Sequence, residues 1–415
     1  MSAVERHSAV SGRRQVRGRI PWALGALFVT LTLGAMPLQA ADYDALPEAK
    51  ALAVAPDGSD SIRGIAHSQP HDLLASTRAL ESCRTQAGPQ QPCEIVRLNV
   101  ERVTSGAEIR ARVPDGPHPL FLWRFAEGGT VVYLAGSIHI LKPTLYPLPA
   151  PLEAAFRLAD HLVLEVDVSA IPPQQMQQRT LAHALLPEGR TLSAVLPAGL
   201  RAELADHLAD YGMTPEMLER AKPAMVMNQI VVSRLMALGY LPDSGLESHF
   251  LAQRTDQPVL ELESLDDQLA LLFGQPLETQ VELLDETLEV ADDIEPLLTD
   301  MLVAWLAGDD AAFMQAFKAQ SGDSPRARAL TRALLEDRNH VMADGIAGFL
   351  ADATAEPRTY FVLVGAAHLV GEEGIVPLLR QRGYTGQRLQ SDTVVQPQPL
   401  PSEPVPQAAT NLEAP

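Results

Sequence analysis

Two stretches of this chain carry the same order of residue types: TVVYLAGSIH at 130–139 and TYFVLVGAAH at 359–368. Each is an apolar, β-branched or aromatic run stopped by a glycine, Gly136 or Gly365, with a histidine three residues later, His139 or His368. Imidazole moves protons near neutral pH and is a common metal ligand. A single histidine after a strand is ordinarily a hydrogen-bonded turn residue. The same offset after two similar strands points instead to one shared site. Glu165 is a third candidate, because it interrupts the apolar run HLVLEVDV at 161–168. A buried carboxylate is costly unless it is paired, protonated or bound to a metal. Ser137 also follows a strand and a glycine, but GSIH lacks the glycine that would complete a nucleophile elbow.

The elements that must position these groups can be read from periodicity. Residues 131–135 and 360–364 have the continuous apolar character of strands covered on both faces. A glycine beyond each allows a tight turn, so both histidines are expected at a sheet edge, where open α/β sheets place their ligand sites. LFLWRFAEGGTVVYLAG reads as a hairpin turning at Gly128-Gly129. A helix over 151–160 then leads to the strand carrying Glu165. Residues 172–355 are mainly helical in pattern, with apolar residues at three- and four-residue spacing in AHALL, LRAELADHLADYG, KPAMVMNQIVVSRLMALG and VELLDETLEVADDIEPLLTDMLVAWLAG. A short αβ interlude, GLESHFLAQRTDQPVLELES, carries Glu247 and His249 on a helix and ends a strand at Glu261 and Glu263. YTGQRLQ closes the pattern as an edge strand. Met225, Met227 and Met236 read as core filler, and Tyr133 and Tyr360 as strand residues. The expected fold class is α+β or α/β: a central mixed sheet with flanking helices and a large helical insertion, plus a small N-terminal αβ module.

At 415 residues with 46% hydrophobic and 20% charged residues, the composition is that of a globular protein larger than one compact unit. A formal charge of −20 without a basic cluster argues against nucleic acid as a partner. Residues 1–41 contain Arg6, Arg13, Arg14, Arg17 and Arg19, then IPWALGALFVTLTLGAM, then small residues near Ala40. That layout predicts a secretory signal and an exported, periplasmic or secreted protein with no membrane span after cleavage; an uncleaved anchor is the alternative. Cys83 and Cys93 are the only cysteines, and in an oxidising compartment a disulfide is expected between them. Residues 42–114 form a candidate αβ module in which a helix over HDLLASTRALESC ends at the cysteine, and His67 and His71 lie on its polar surface. VPDGPHP at 113–119 is the boundary to a main domain at 115–392. The tail at 393–415 is dominated by proline and expected to be disordered.

Over about 117–390 the chain resembles the TraB/GumN family, which is related to the Tiki metalloproteases and more distantly to erythromycin esterases and haem-binding lipoproteins. The resemblance is carried by Gly136-Ser137-Ile138-His139, Gly365-Ala366-Ala367-His368, Glu165 in LVLEVD, the GLESHF segment, Leu262-Glu263-Ser264 with Gln268, and Arg338-Asn339. It implies a centre where both histidines and the glutamate converge on a divalent metal that serves hydrolysis of a peptide or another small-molecule substrate. Imidazoles with a carboxylate suit Zn, Mn or Co, leaving positions open for water. In that scheme His139 and His368 are ligands, and Glu165 is the third ligand or the general base. Glu263 is the reserve for the remaining role, and Arg338 stabilises an oxyanion. The chain has no HExxH helix, so all geometry depends on the fold. Two alternatives stay open: a metal-free esterase-like hydrolase with a histidine base oriented by Glu165, and a non-catalytic protein that binds haem, a metal or a polysaccharide-related ligand.

Overall fold

A computed structural model of the chain describes residues 43–56, 62–88, 91–321, 325–352 and 356–397. The expected signal at 1–41 and most of the tail at 393–415 lie outside the described residues. The histidine-bearing runs become neighbouring strands in the middle of a mixed six-stranded sheet. Its strands are β5 (Pro119–Glu127), β6 (Thr130–Ser137), β7 (His161–Leu164), β8 (Val259–Glu261), β9 (Thr359–Gly365) and β10 (Gly386–Gln390), in the order β10-β5-β6-β9-β7-β8. β5 and β6 form the expected hairpin, and Gly128 and Gly129 at its tip both have positive φ, 57° and 95°. β6, β9, β7 and β8 run parallel, so their carboxyl ends share one edge. Every residue of β6 is buried, as its unbroken apolar sequence requires of a central strand.

A second sheet of four antiparallel strands, β1 (Ala51–Val54), β2 (Arg63–Ala66), β3 (Glu94–Leu98) and β4 (Glu101–Arg102), has the order β2-β1-β3-β4. Helix α1 (Asp72–Ala87) packs on it, and the Cys83–Cys93 disulfide ties that helix to β3. The helix runs four residues beyond its expected end at Cys83, because its natural stop is Gly88, whose φ of 81° closes it. The apolar side chains of this sheet share one continuous core with the larger one: Ile95 packs against Gly239, just after helix α2 (Pro223–Ala237). Lys142, three residues past His139, is fully buried; its ammonium lies 4.9 Å from the centre of the Tyr240 ring and donates to the Thr104 carbonyl. The loop carrying His139 is thereby fastened to the end of the four-stranded unit.

Helices fill most of 173–351, among them α3 (Leu246–Gln253), α4 (Leu265–Phe273), α5 (Ile294–Ala307) and α6 (Asp337–Ala351). The helical pattern over 281–308 is two helices, Leu277–Val290 and α5, joined by one 3-10 turn at Ala291–Asp293. Pro296 explains the break, since proline is accepted in a first turn and not in a helix interior. β7 also stops four residues short of the run at 161–168: Glu165 is the first residue beyond it, at the carboxyl edge and not inside the strand.

Replacing both Cys83 and Cys93 by alanine is expected to cost up to about 3 kcal/mol of unfolding free energy, the loop-closure entropy of so short a ring. Urea denaturation checks this, and an unchanged midpoint would show that the bridge carries no stability.

Candidate functional site

The register between β6 and β9 sets the site. Gly136 pairs with Val364 and Ser137 with Gly365, so the two GxxH segments leave the sheet side by side but one residue out of step. After Gly136, whose carbonyl accepts from the buried indole of Trp305 at 2.9 Å, the chain turns through Ser137 and Ile138 to His139. Residues 241–247 run alongside: Leu241 bridges Leu141, and Leu246 N–H donates to the Ile138 carbonyl at 3.1 Å. Gly245 is obligatory in this packing, because a Cβ there would sit 2.1 Å from the His139 carbonyl oxygen. The approach delivers Glu247, in the first turn of α3, to the His139 ring, with Oε1 2.9 Å from Nδ1.

His368 is delivered differently. β9 ends at Gly365 and passes into a one-turn helix, Ala366–Leu369, that buries the ring, and Nδ1 lies 2.6 Å from Asn339 Oδ1. Asn339 lies on α6, and its amide nitrogen donates to the Glu373 carbonyl at 2.7 Å. That bond fixes which way the amide faces, so Oδ1 accepts from His368 Nδ1–H and Nε2 is left as the bare nitrogen. Nε2 faces Glu165 Oε1 at 3.8 Å.

Glu165 sits between the two rings. Oε1 accepts from Gly365 N–H at 2.7 Å, and Oε2 accepts from Arg338 at 2.6 Å and Gln268 at 3.2 Å. The Arg338 guanidinium also grips Glu263 through Nε and Nη2, at 2.9 and 2.5 Å, and its Nη1 donates to the Leu334 carbonyl. A π-helical turn at Arg332–Glu336 precedes Arg338, an irregularity that often accompanies functional positions. With its donors so engaged, Arg338 is a clamp on two carboxylates. Glu263 is the second counter-ion of that clamp and also accepts from Gln268 at 3.1 Å.

The three groups face a single gap, the space Gly365 leaves by lacking a side chain. A Cβ built there would lie 3.4 Å from Glu165 Oε1, 3.4 Å from His368 Cδ2 and 3.5 Å from His139 Nε2. Both rings turn Nε2 inward and rest Nδ1 on an outer partner, the arrangement that fixes the tautomer and direction of metal-binding histidines. Two imidazoles and a carboxylate beside one gap are a donor set that suits a zinc-like divalent ion in chemistry. Among the described residues, no three His, Cys, Asp or Glu side chains already form a metal-holding group, so the donors converge without closing a cage.

The two histidines differ in environment. Attraction to Glu247 outweighs burial and pushes His139 up to about 9, whereas burial pushes His368 down to about 4. His139 keeps 66% of its side-chain surface accessible and His368 6%. Solvent at the exposed His139 ring weakens the Glu247 pair as a source of stability. Burial alone would raise Glu165, but the imidazoles of His368 and His139, Arg338 and the Gly365 amide together hold it at about 2. Ser137 is buried, and its hydroxyl is among the groups that hold the Glu247 carboxyl below its ordinary range, after the His139 ring. Tyr133 is buried within β6, and Tyr360 stacks between His161 and Phe349. His71 caps α1 through Nδ1, and His67 bonds Ser68; both are remote from this centre in role.

His139, His368, Glu165, Arg338 and Glu263, singled out from the sequence, are thus brought into one contiguous network. Glu247 and Asn339, the partners that aim the two rings, were not among them. Their signals were present in the GLESHF and Arg338-Asn339 segments, without anything to say which atom each would meet.

The TraB/PrgY/gumN family matches residues 121–388. The uncharacterized protein YbaP of Escherichia coli (strain K12) is 26% identical over 259 residues, covering 61% of this chain and 89% of that protein. A metalloprotease TIKI homolog of Amphimedon queenslandica is 24% identical over 336 residues, 68% of this chain and 64% of that protein. Metalloprotease TIKI1 of Danio rerio is 23% identical over 345 residues, 71% of this chain and 68% of that protein. No solved structure matches the chain.

Gly365→Ala is expected to fold with near-native stability, since its Cβ would make only ordinary contacts, while filling the gap and abolishing whatever the centre binds. A thermal melt beside a ligand or activity assay separates the two effects; retained function would show that the gap is not used. In a chelator, stability is expected to fall as pH drops from 6.5 towards about 4, because the unfolded chain protonates at His368 where the folded one resists. Glu165, depressed to about 2, contributes stability that is present above 4.5 and lost as pH falls towards 2. Urea midpoints across this range should lose the upper limb in His368→Gln, and an unaltered slope there would assign it to another group.

Proposed function

The chain belongs to the TraB/PrgY/gumN family, and on that premise we propose that it is an exported metal-dependent hydrolase acting on peptide bonds. The observation that carries this reading is the convergence of His139 Nε2, His368 and Glu165 Oε1 on the side-chain gap at Gly365. The metalloprotease names of the TIKI relatives agree with it, and the Cys83–Cys93 bridge is compatible with an oxidising compartment.

His139 and His368 would hold the ion through Nε2. A divalent zinc, manganese or cobalt ion bound there would supply an acidified water and polarise the scissile carbonyl. Glu247 on the far nitrogen of His139 strengthens that ring as a donor, and the neutral Asn339 keeps His368 in the Nδ1–H tautomer. Glu165 presents Oε1 to the gap as ligand or as acceptor of the water proton, while Arg338 and Gln268 restrain Oε2. The clamp favours the ionised carboxylate, as a proton acceptor requires. Haem binding finds less support, because Tyr133 and Tyr360 are packed in the sheet and do not offer an axial ligand.

Mass-spectrometric metal analysis of the purified protein is the direct test. Near-stoichiometric divalent metal is expected in the wild type, with loss in His139→Ala and His368→Ala. Glu165→Ala should lose peptide hydrolysis by about a hundredfold or more, whichever of its two roles it plays. Absence of metal, together with three variants that behave like the wild type, would sink the proposal.

A further inference from the structure

β8 is the outermost strand of the large sheet, and its free edge borders the centre. Register with β7 pairs Leu162 with Val259 and Leu164 with Glu261. Leu162 N–H donates to the Pro258 carbonyl at 3.1 Å and Leu262 N–H to the Leu164 carbonyl at 3.0 Å. Residues 258, 260 and 262 therefore turn their peptide groups towards β7. By the alternation of a strand, Val259 and Glu261 turn theirs outward. Among the described residues, no hydrogen bond is made to those outward N–H and C=O groups. An open strand edge of this kind is a template for another extended chain.

The same segment bounds a cavity of about 650 Å³ that continues to Gln268 and Arg338 of the centre. Leu262, Leu271, Ala333 and Val341 give it an apolar wall, and Val341 stays 57% exposed. Glu261, Asp267 and Asp337 add negative charge, while the cavity's one cation, Arg338, is already shared by Glu165 and Glu263. An apolar wall rimmed by carboxylates, with Arg332 4.0 Å from Asp337, fits a side chain that has an alkyl stem and a cationic head.

We propose that the outer edge of β8 receives an extended peptide as an added strand, with lysine or arginine side chains over the adjoining cavity, and leads it to the Glu165 centre. This names the substrate class for the peptide hydrolase proposed above and rests on that reading. Backbone pairing supplies affinity without regard to sequence, and the cavity supplies the preference for basic residues.

The probe is a fluorescein-labelled (Thr-Lys)4 peptide, in which every lysine falls on one face of the added strand, titrated by anisotropy against the full chain. Saturable binding is expected, with (Thr-Glu)4 at least about tenfold weaker. Two further peptides carry N-methyl groups on all lysine or all threonine amides, so that only one set can face β8. One of the two should bind about tenfold more weakly or worse, and the other like the parent, because each blocked main-chain bond removes on the order of its net hydrogen-bond energy. Val259→Pro removes an outward N–H without touching the β7 ladder and should weaken the parent peptide similarly at an unchanged melting temperature. If that variant misfolds, the N-methyl pair still decides. No saturable binding of (Thr-Lys)4, equal binding of the acidic peptide, or indifference to N-methylation at both sets overturns the proposal. Binding without cleavage would overturn the hydrolase reading and leave the edge site standing. Cleavage indifferent to N-methylation and to Val259→Pro would do the reverse.

Discussion

Two carboxylates, Glu165 and Glu263, meet at the carboxyl ends of neighbouring parallel strands with side chains only 13% and 9% exposed, and one guanidinium stands between them. Neither charge is tolerable there alone; breaking such a pair leaves an uncompensated ion worth roughly 3–5 kcal/mol. Arg338 therefore locks together three parts of the chain remote in sequence: the end of β7, the segment after β8, and the start of α6. The Glu165 oxygen facing the histidines is aimed by what happens to the other oxygen. The electrostatic constraint and the geometry of the centre are one arrangement.

The outer partners of the rings are of unlike kind. Glu247 arrives through a close backbone approach that Gly245 alone permits, and its charge draws His139 towards the imidazolium. Asn339 arrives on α6 next to Arg338, so the clamp that fixes Glu165 also fixes the helix that orients His368. Only a neutral acceptor suits a ring buried as deeply as His368, where a second carboxylate would favour a charge that burial opposes. The two halves of an apparent sequence repeat thus have different surroundings.

Much of this was legible in the chain. Continuous apolar runs identified β6 and β9, and the glycines marked where they stop. Glu165 stood out because a carboxylate in such a run needs a partner. The family match over 121–388 agrees with the resemblance carried by those segments. What could not be read was pairing at a distance. The one-residue stagger between β6 and β9 is set by packing of whole elements, and the partners of the imidazole nitrogens follow from that stagger. The break at Ala291–Asp293 has its sequence signal in Pro296, whereas apolar periodicity alone runs on through both helices. The π-turn before Arg338 has no sequence signature at all; it is a registration error in the helix that tertiary contacts maintain.

The stagger has a consequence for solvent access. With one GxxH segment stepped past the other, the His139 ring is left exposed and the His368 ring is buried. The centre therefore has a front and a back. A near-symmetric pair of side chains therefore offers one imidazole to solvent and keeps the other from it.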